Sequence, residues 1–192
     1  MQASAVPAGK RTIVPTTERH AGMEQQAGNR PDGVAFGFLT AVDSPTHGLF
    51  GGYLLVDALG RPLEFHCTTP VKVSRAQQIL YGTTLPGHLH GRQIGATLLA
   101  EGTIEPTVVL TDLESMLQVR PHTGLPVALV KRPDHAAGGM GFSIGAARVQ
   151  PHPSDVSRES AIHEQLAELG AAVDLCEPFE RIRAAIDEAQ RH

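Results

Sequence analysis

The sequence predicts an α/β domain built on a mixed sheet, and three observations predict it. Three β-prone runs, at 34–42, 49–56 and 62–69, follow one another across short, turn-rich connections, the pattern of an antiparallel meander. Two further apolar runs, at 107–111 and 125–130, flank a helical stretch, the pattern of a βαβ unit and hence of parallel strands. The first and fourth of these runs end in aspartate, in Thr40-Ala41-Val42-Asp43-Ser44 and Leu110-Thr111-Asp112. With those strands adjacent and parallel, the two carboxylates are expected to meet at one sheet edge, where an open α/β sheet places its site.

Length and composition bound the reading. The chain of 192 residues suits one domain of ordinary size with appendages, and a hydrophobic content of 41% furnishes a core. A formal charge of −4, with arginine greatly outnumbering lysine, argues against the broad basic surface of a general nucleic-acid binder and leaves weak or partner-assisted binding open. Cys67 and Cys176 stand far apart and read as free thiols of a reducing compartment. No apolar segment follows Lys10 and Arg11, and no run reaches the length of a membrane span. The expectation is a soluble cytoplasmic protein with no membrane contact.

Residues 1–33 contain no aromatic residue and only scattered aliphatic ones, too little apolar surface to offset ordering entropy. They read as a flexible N-terminal tail, followed by an α/β core domain at 34–150 and a C-terminal helical extension at 151–192 packed on that core. Ser74 opens a helix that closes at Gly82, with Gln77 completing a capping box. Pro86-Gly87-His88-Leu89-His90-Gly91 reads as a loop, and Ile94, Leu98 and Glu101 mark a second helix at 92–101. Leu113, Met116 and Leu117 belong to a helix that must end near Pro121. After the glycine-rich turn at 136–139, residues 141–149 read as one extra edge strand. Two helices finish the chain. The first starts near Ser154 and aligns Ile162, Leu166, Leu169 and Val173; the second starts at Glu177-Pro178 and aligns Phe179, Ile182 and Ile186. Arg183 and Asp187, four apart, read as a surface pair.

This element order, together with Thr40-Ala41-Val42-Asp43-Ser44 and Leu110-Thr111-Asp112, resembles the ribonuclease H-like fold over about 34–130 and the first C-terminal helix. The resemblance implies that the first and fourth strands are central neighbours, with Asp43 and Asp112 as catalytic ligands of Mg²⁺ or Mn²⁺. It further implies a glutamate on the first helix, where this chain has Gln77 and Gln78, and a last acidic ligand at the start of the first C-terminal helix, where it has Asp155, with Glu159 and His163 following. A neutral amide supplies none of the negative charge that concentrates a hard cation. Two functional expectations follow. One is a catalytically degenerate module that acts through protein or nucleic-acid contacts and uses no cofactor. The alternative is a divalent-metal-dependent nuclease in which Asp43, Asp112 and Asp155 hold ions that stabilise the attacking and leaving oxygens.

Each candidate also has a structural role open to it. Asp43, before Ser44-Pro45, suits a turn cap, and Asp112, before a helix, suits an N-cap. Of the ten histidines, His66 beside Cys67, and His88 with His90, are of the type that zinc favours. Strand alternation sends His66 and Cys67 to opposite faces, which leaves Cys67 for the core and the loop histidines for solvent. A thiol hydrolase built on Cys67 with His66 or His88 lacks an electropositive setting for the thiolate. The chain has no Gly-x-Ser-x-Gly elbow, P-loop or Rossmann glycine pattern, which disfavours ATP and dinucleotide chemistry.

Overall fold

The computed structural model describes residues 10–12, 33–44, 46–132 and 141–191. Its strands are β1 (Lys10–Thr12), β2 (Ala35–Ser44), β3 (Gly48–Asp57), β4 (Pro62–Thr68), β5 (Val109–Thr111), β6 (Val127–Lys131), β7 (Phe142–Ile144) and β8 (Ala147–Pro151). They form one mixed sheet of eight strands in the order β1-β4-β3-β2-β5-β6-β8-β7. After β4 the chain runs through α1 (Arg75–Tyr81), α2 (Leu85–Gly87), a π-helical segment (His88–Gly95) and α3 (Ala96–Glu101). A 3₁₀ helix, Glu114–His122, joins β5 to β6, and a second, Pro153–Arg158, leads into α4 (Glu159–Ala172) and then α5 (Glu177–Ala189). No helix among the described residues is long and apolar enough to cross a membrane.

The α/β class and the central pairing follow the sequence. The meander forms as β2, β3 and β4, paired antiparallel in succession. β5 lies parallel to β2, with Gly37 opposite Val109, Phe38 opposite Leu110 and Leu39 opposite Thr111, and β6 lies parallel to β5. Ser74 caps α1 as expected: its hydroxyl accepts from the Gln77 amide while the Gln77 side chain accepts from the Ser74 amide.

Four local expectations change. The stretch at 141–149 is a hairpin, β7 and β8, because Gly145 takes φ +55° and turns the chain after Ile144. The stretch at 86–91 is helical: Pro86 falls at the start of α2, where its missing N–H costs nothing. Gly91 then lets the π-helical segment press on the 3₁₀ helix, since a Cβ there would lie 2.5 Å from the Gln118 carbonyl carbon. The βαβ crossover is the 3₁₀ helix, with Pro121 inside its last turn. Finally, Lys10–Thr12 of the expected tail pairs antiparallel with β4 as an edge strand, and the rest of that stretch up to residue 32 lies outside the described residues.

Side chains of successive strand residues leave opposite faces, so the sheet carries two cores. One joins Phe36, Phe38, Leu54, Leu110 and Val130 to Ile162 and Leu166 of α4 and to Phe179, Ile182 and Ile186 of α5. The other joins Leu39, Tyr53, Leu55 and Val109 to Ile94, Leu98, Met116 and Val119. Two adjacent glycines on β3 admit the helices on either side. A Cβ on Gly51 would stand 2.0 Å from Ile94 Cγ2, and one on Gly52 would stand 2.2 Å from Ile182 Cγ2.

Candidate functional site

The register of β2 against β5 decides which residues meet at the carboxyl ends of the parallel strands. Leu39 pairs with Thr111, so the β2 neighbour of Asp112 is Thr40, whose hydroxyl donates to Asp112 Oδ1 at 2.6 Å. Asp43 stands three residues further on, about 10 Å along the strand at about 3.3 Å per residue. It also faces the other way. Phe36, Phe38 and Val42 share the face that holds Thr40, while Leu39 and Ala41 share the face that holds Asp43. Asp112 accepts from Arg183 of α5 on the first face, and Asp43 lies within electrostatic reach of His90 on the second. The expected junction of Asp43 with Asp112 does not form.

Asp155 is held elsewhere. Its side chain is fully buried and takes a two-pronged ion pair from Arg120, Nε to Oδ2 at 2.7 Å and Nη2 to Oδ1 at 2.9 Å. The Val127 amide, at the first residue of β6, donates to the same carboxylate at 3.1 Å. Burial alone would raise the Asp155 pKa; the hydrogen bonds from Arg120 and Val127, with the positive charge of Arg120, outweigh it and hold the carboxyl below the usual range. β5 and β6 are parallel, so Asp155 sits at their amino end and Asp112 at their carboxyl end. The three acidic candidates thus occupy three separate places: a strand-end ion pair, an exposed position near the end of β2 and a buried strut. Gln77 is engaged in its capping box. Glu159 and His163 lie on α4, where the His163 ring meets Phe142 edge-on at 4.9 Å.

The histidines are equally dispersed. His66 Nε2 donates to Glu64 Oε2 at 2.9 Å and the ring lies against Tyr53, while Cys67 faces the opposite core, as strand alternation requires. Burial would raise the Glu64 carboxyl, but hydrogen bonds from Thr103 and His66 hold it down; burial and the Glu64 charge together push the Tyr53 phenol up. His88 stacks on Tyr81 with centroids 4.3 Å apart, and His90 Nδ1 meets the Ser115 hydroxyl at 2.6 Å. Burial lowers the His90 pKa, opposed by the carboxylate of Asp43. No group of three His, Cys, Asp or Glu side chains among the described residues is placed to hold a metal ion.

The Asp112–Arg183 pair borders a cleft of about 490 Å³ between the ends of β5 and β6 and the first turns of α5. Its cations are matched within the chain: Lys131 pairs with Glu114, and Arg132 reaches Asp174 at 3.3 Å and Glu180 at 3.2 Å. Burial and the Asp174 charge push the Cys176 thiol up. Sequence reasoning missed Thr40, Arg120 and Arg183 as partners of the acidic residues. Only Arg183 carried a signal, and it pointed to Asp187 one turn along instead of across to Asp112.

Compared with known proteins, the chain matches no family model and no curated protein sequence. With Asp43 exposed and remote from Asp112, Asp43→Asn is expected to change the unfolding free energy by less than about 0.5 kcal/mol, measured by urea titration with and without Mg²⁺.

Proposed function

We propose that this chain is a ribonuclease H-like module that acts through contacts with another macromolecule and not through two-metal hydrolysis. The strand order β4-β3-β2-β5-β6, with β5 and β6 parallel to β2, supports the family resemblance. The observation that carries the functional reading is the pair of partners on Asp112. At the one position of β2 that could bring a second carboxylate beside it, Thr40 supplies a hydroxyl, and Arg183 supplies a cation. A divalent ion of the hard class is concentrated by clustered carboxylate charge, and here the lone carboxylate is already neutralised by a guanidinium.

Incubation with single-stranded RNA, double-stranded DNA and an RNA–DNA hybrid in millimolar Mg²⁺ or Mn²⁺ tests this. No metal-dependent cleavage is expected. Cleavage that survives purification and vanishes in Asp112→Asn would restore the nuclease reading.

A further inference from the structure

We propose that α1 and its flanks form a docking surface for an acidic amphipathic segment of a partner protein, an apolar stripe bordered by carboxylates. This assignment rests on the reading of the chain as an interaction module. None of the residues of α1 is buried, and Ile79, Leu80 and Tyr81 are 67%, 81% and 36% exposed. Of the other exposed large apolar side chains among the described residues, Val34 and Leu59 line one cleft at the β3–β4 turn and Val156 stands apart, and none is as exposed as Ile79 or Leu80. A helix of seven residues is too short to be stable on its own propensity and ordinarily owes its stability to a packed apolar face. Here the capping box and the stacking of Tyr81 on His88 hold α1 in place while its aliphatic side chains stay uncovered.

Charge selects the partner. From 65 to 100 the sequence carries Lys72, Arg75 and Arg92 and no carboxylate, in a chain whose formal charge is −4. All three cations are exposed, and among the described residues none forms a salt bridge; Arg75 bonds only the neutral Gln78. Most cations elsewhere are matched: Arg61, Lys131, Arg132, Arg181 and Arg183 each face a carboxylate of this chain. Arg75 on α1 and Lys72 just before it, unmatched and next to uncovered aliphatics, fit a partner that brings both leucine-type side chains and carboxylates. A second copy fits poorly, because a two-fold contact sets Lys72 and Arg75 against their own kind. Nucleic acid also fits poorly: three separated cations neutralise few phosphates, and Ile79 and Leu80 offer no ring for a base to stack on.

The test uses the full-length chain and a fluorescein-labelled helical peptide with leucines at i, i+3, i+4 and i+7 flanked by glutamates. A lysine-for-glutamate version, an oligo-dT strand and sedimentation equilibrium of the protein alone run beside it. Saturable anisotropy with the acidic peptide is expected, weakened at least about tenfold by Ile79→Ser with Leu80→Ser, by Arg75→Glu, and by raising salt from about 50 to about 500 mM. The serine changes fall on exposed positions, and unchanged circular dichroism confirms that the variants fold. No saturation, binding indifferent to the serine changes, tighter binding of oligo-dT, or a dimer that dissociates on Leu80→Ser would each overturn the proposal. The nuclease assay above separates the two readings. Loss of peptide binding without cleavage removes this surface alone, whereas cleavage removes the module reading beneath it.

Discussion

Replacing Asp155 by alanine is expected to cost about 3–5 kcal/mol of folding stability, because it leaves the Arg120 guanidinium facing an apolar gap with its charge unmatched. The same change frees the Val127 amide at the start of β6 and loosens the 3₁₀ turn that feeds α4. Two adjacent controls sharpen the reading. Arg120→Ala should cost at least as much, since it strands a buried carboxylate, and the double replacement should cost clearly less than the sum of the two. The sign of the pH effect also follows. The folded-state carboxyl lies below its ordinary value of 3.8, so its contribution is complete above about pH 4 and is lost as pH falls through the lowered folded value. Acid unfolding of the native chain should therefore steepen in that window, and Asp155→Asn should remove that share of the slope. Urea midpoints between pH 2.5 and 6 measure both, to within about half a pH unit.

Gly52→Ala carries the second large effect. A methyl group there collides with Ile182 Cγ2 and approaches Ile186 Cδ1 at 3.0 Å, so α5 must lift from the sheet or the strand must bend. A loss of about 1–3 kcal/mol is expected, against the small gain that alanine brings by restricting the unfolded chain. Ile182→Ala alone empties a fully buried site and should cost about 2–5 kcal/mol. Combined, the two changes should cost clearly less than their sum, because the new methyl enters the space that the isoleucine leaves. Additive losses in chemical denaturation would mean that α5 does not rest on Gly52 in solution.

The strands were legible because their pattern is local: each run of the meander alternates or is continuously apolar, and its turns are punctuated by Gly, Pro and Asp. Parallel pairing of β2 with β5 followed from element order. The site was not legible in the same way. Ending two strands in aspartate says nothing about how far one strand overruns the other, and β2 continues five residues past Leu39, its last residue paired with β5. That offset, together with a change of face, separates Asp43 from Asp112. Asp155 read as a helix-start ligand because its partner, Arg120, is 35 residues away and belongs to a different element. The 86–91 segment misled for another reason. Its proline and glycines signal a loop by propensity, yet tertiary contact with Gln118 rewards a glycine inside a helix. In the 141–149 segment the turn signal is Gly145 itself: a lone glycine within an apolar run fits a weak strand residue as well as the left-handed turn that it makes here.

The most direct test of the central claim, that these acidic residues build structure and do not gather metal, is paramagnetic broadening of the amide NMR spectrum by Mn²⁺. At sub-stoichiometric Mn²⁺ no selective broadening is expected at Thr40, Asp43, Asp112 or Leu113, with the Arg183 side-chain resonance unmoved. Selective loss of those amides together, with displacement of Arg183 and recovery on adding chelator, would show a metal site spanning Asp43 and Asp112 and would contradict it.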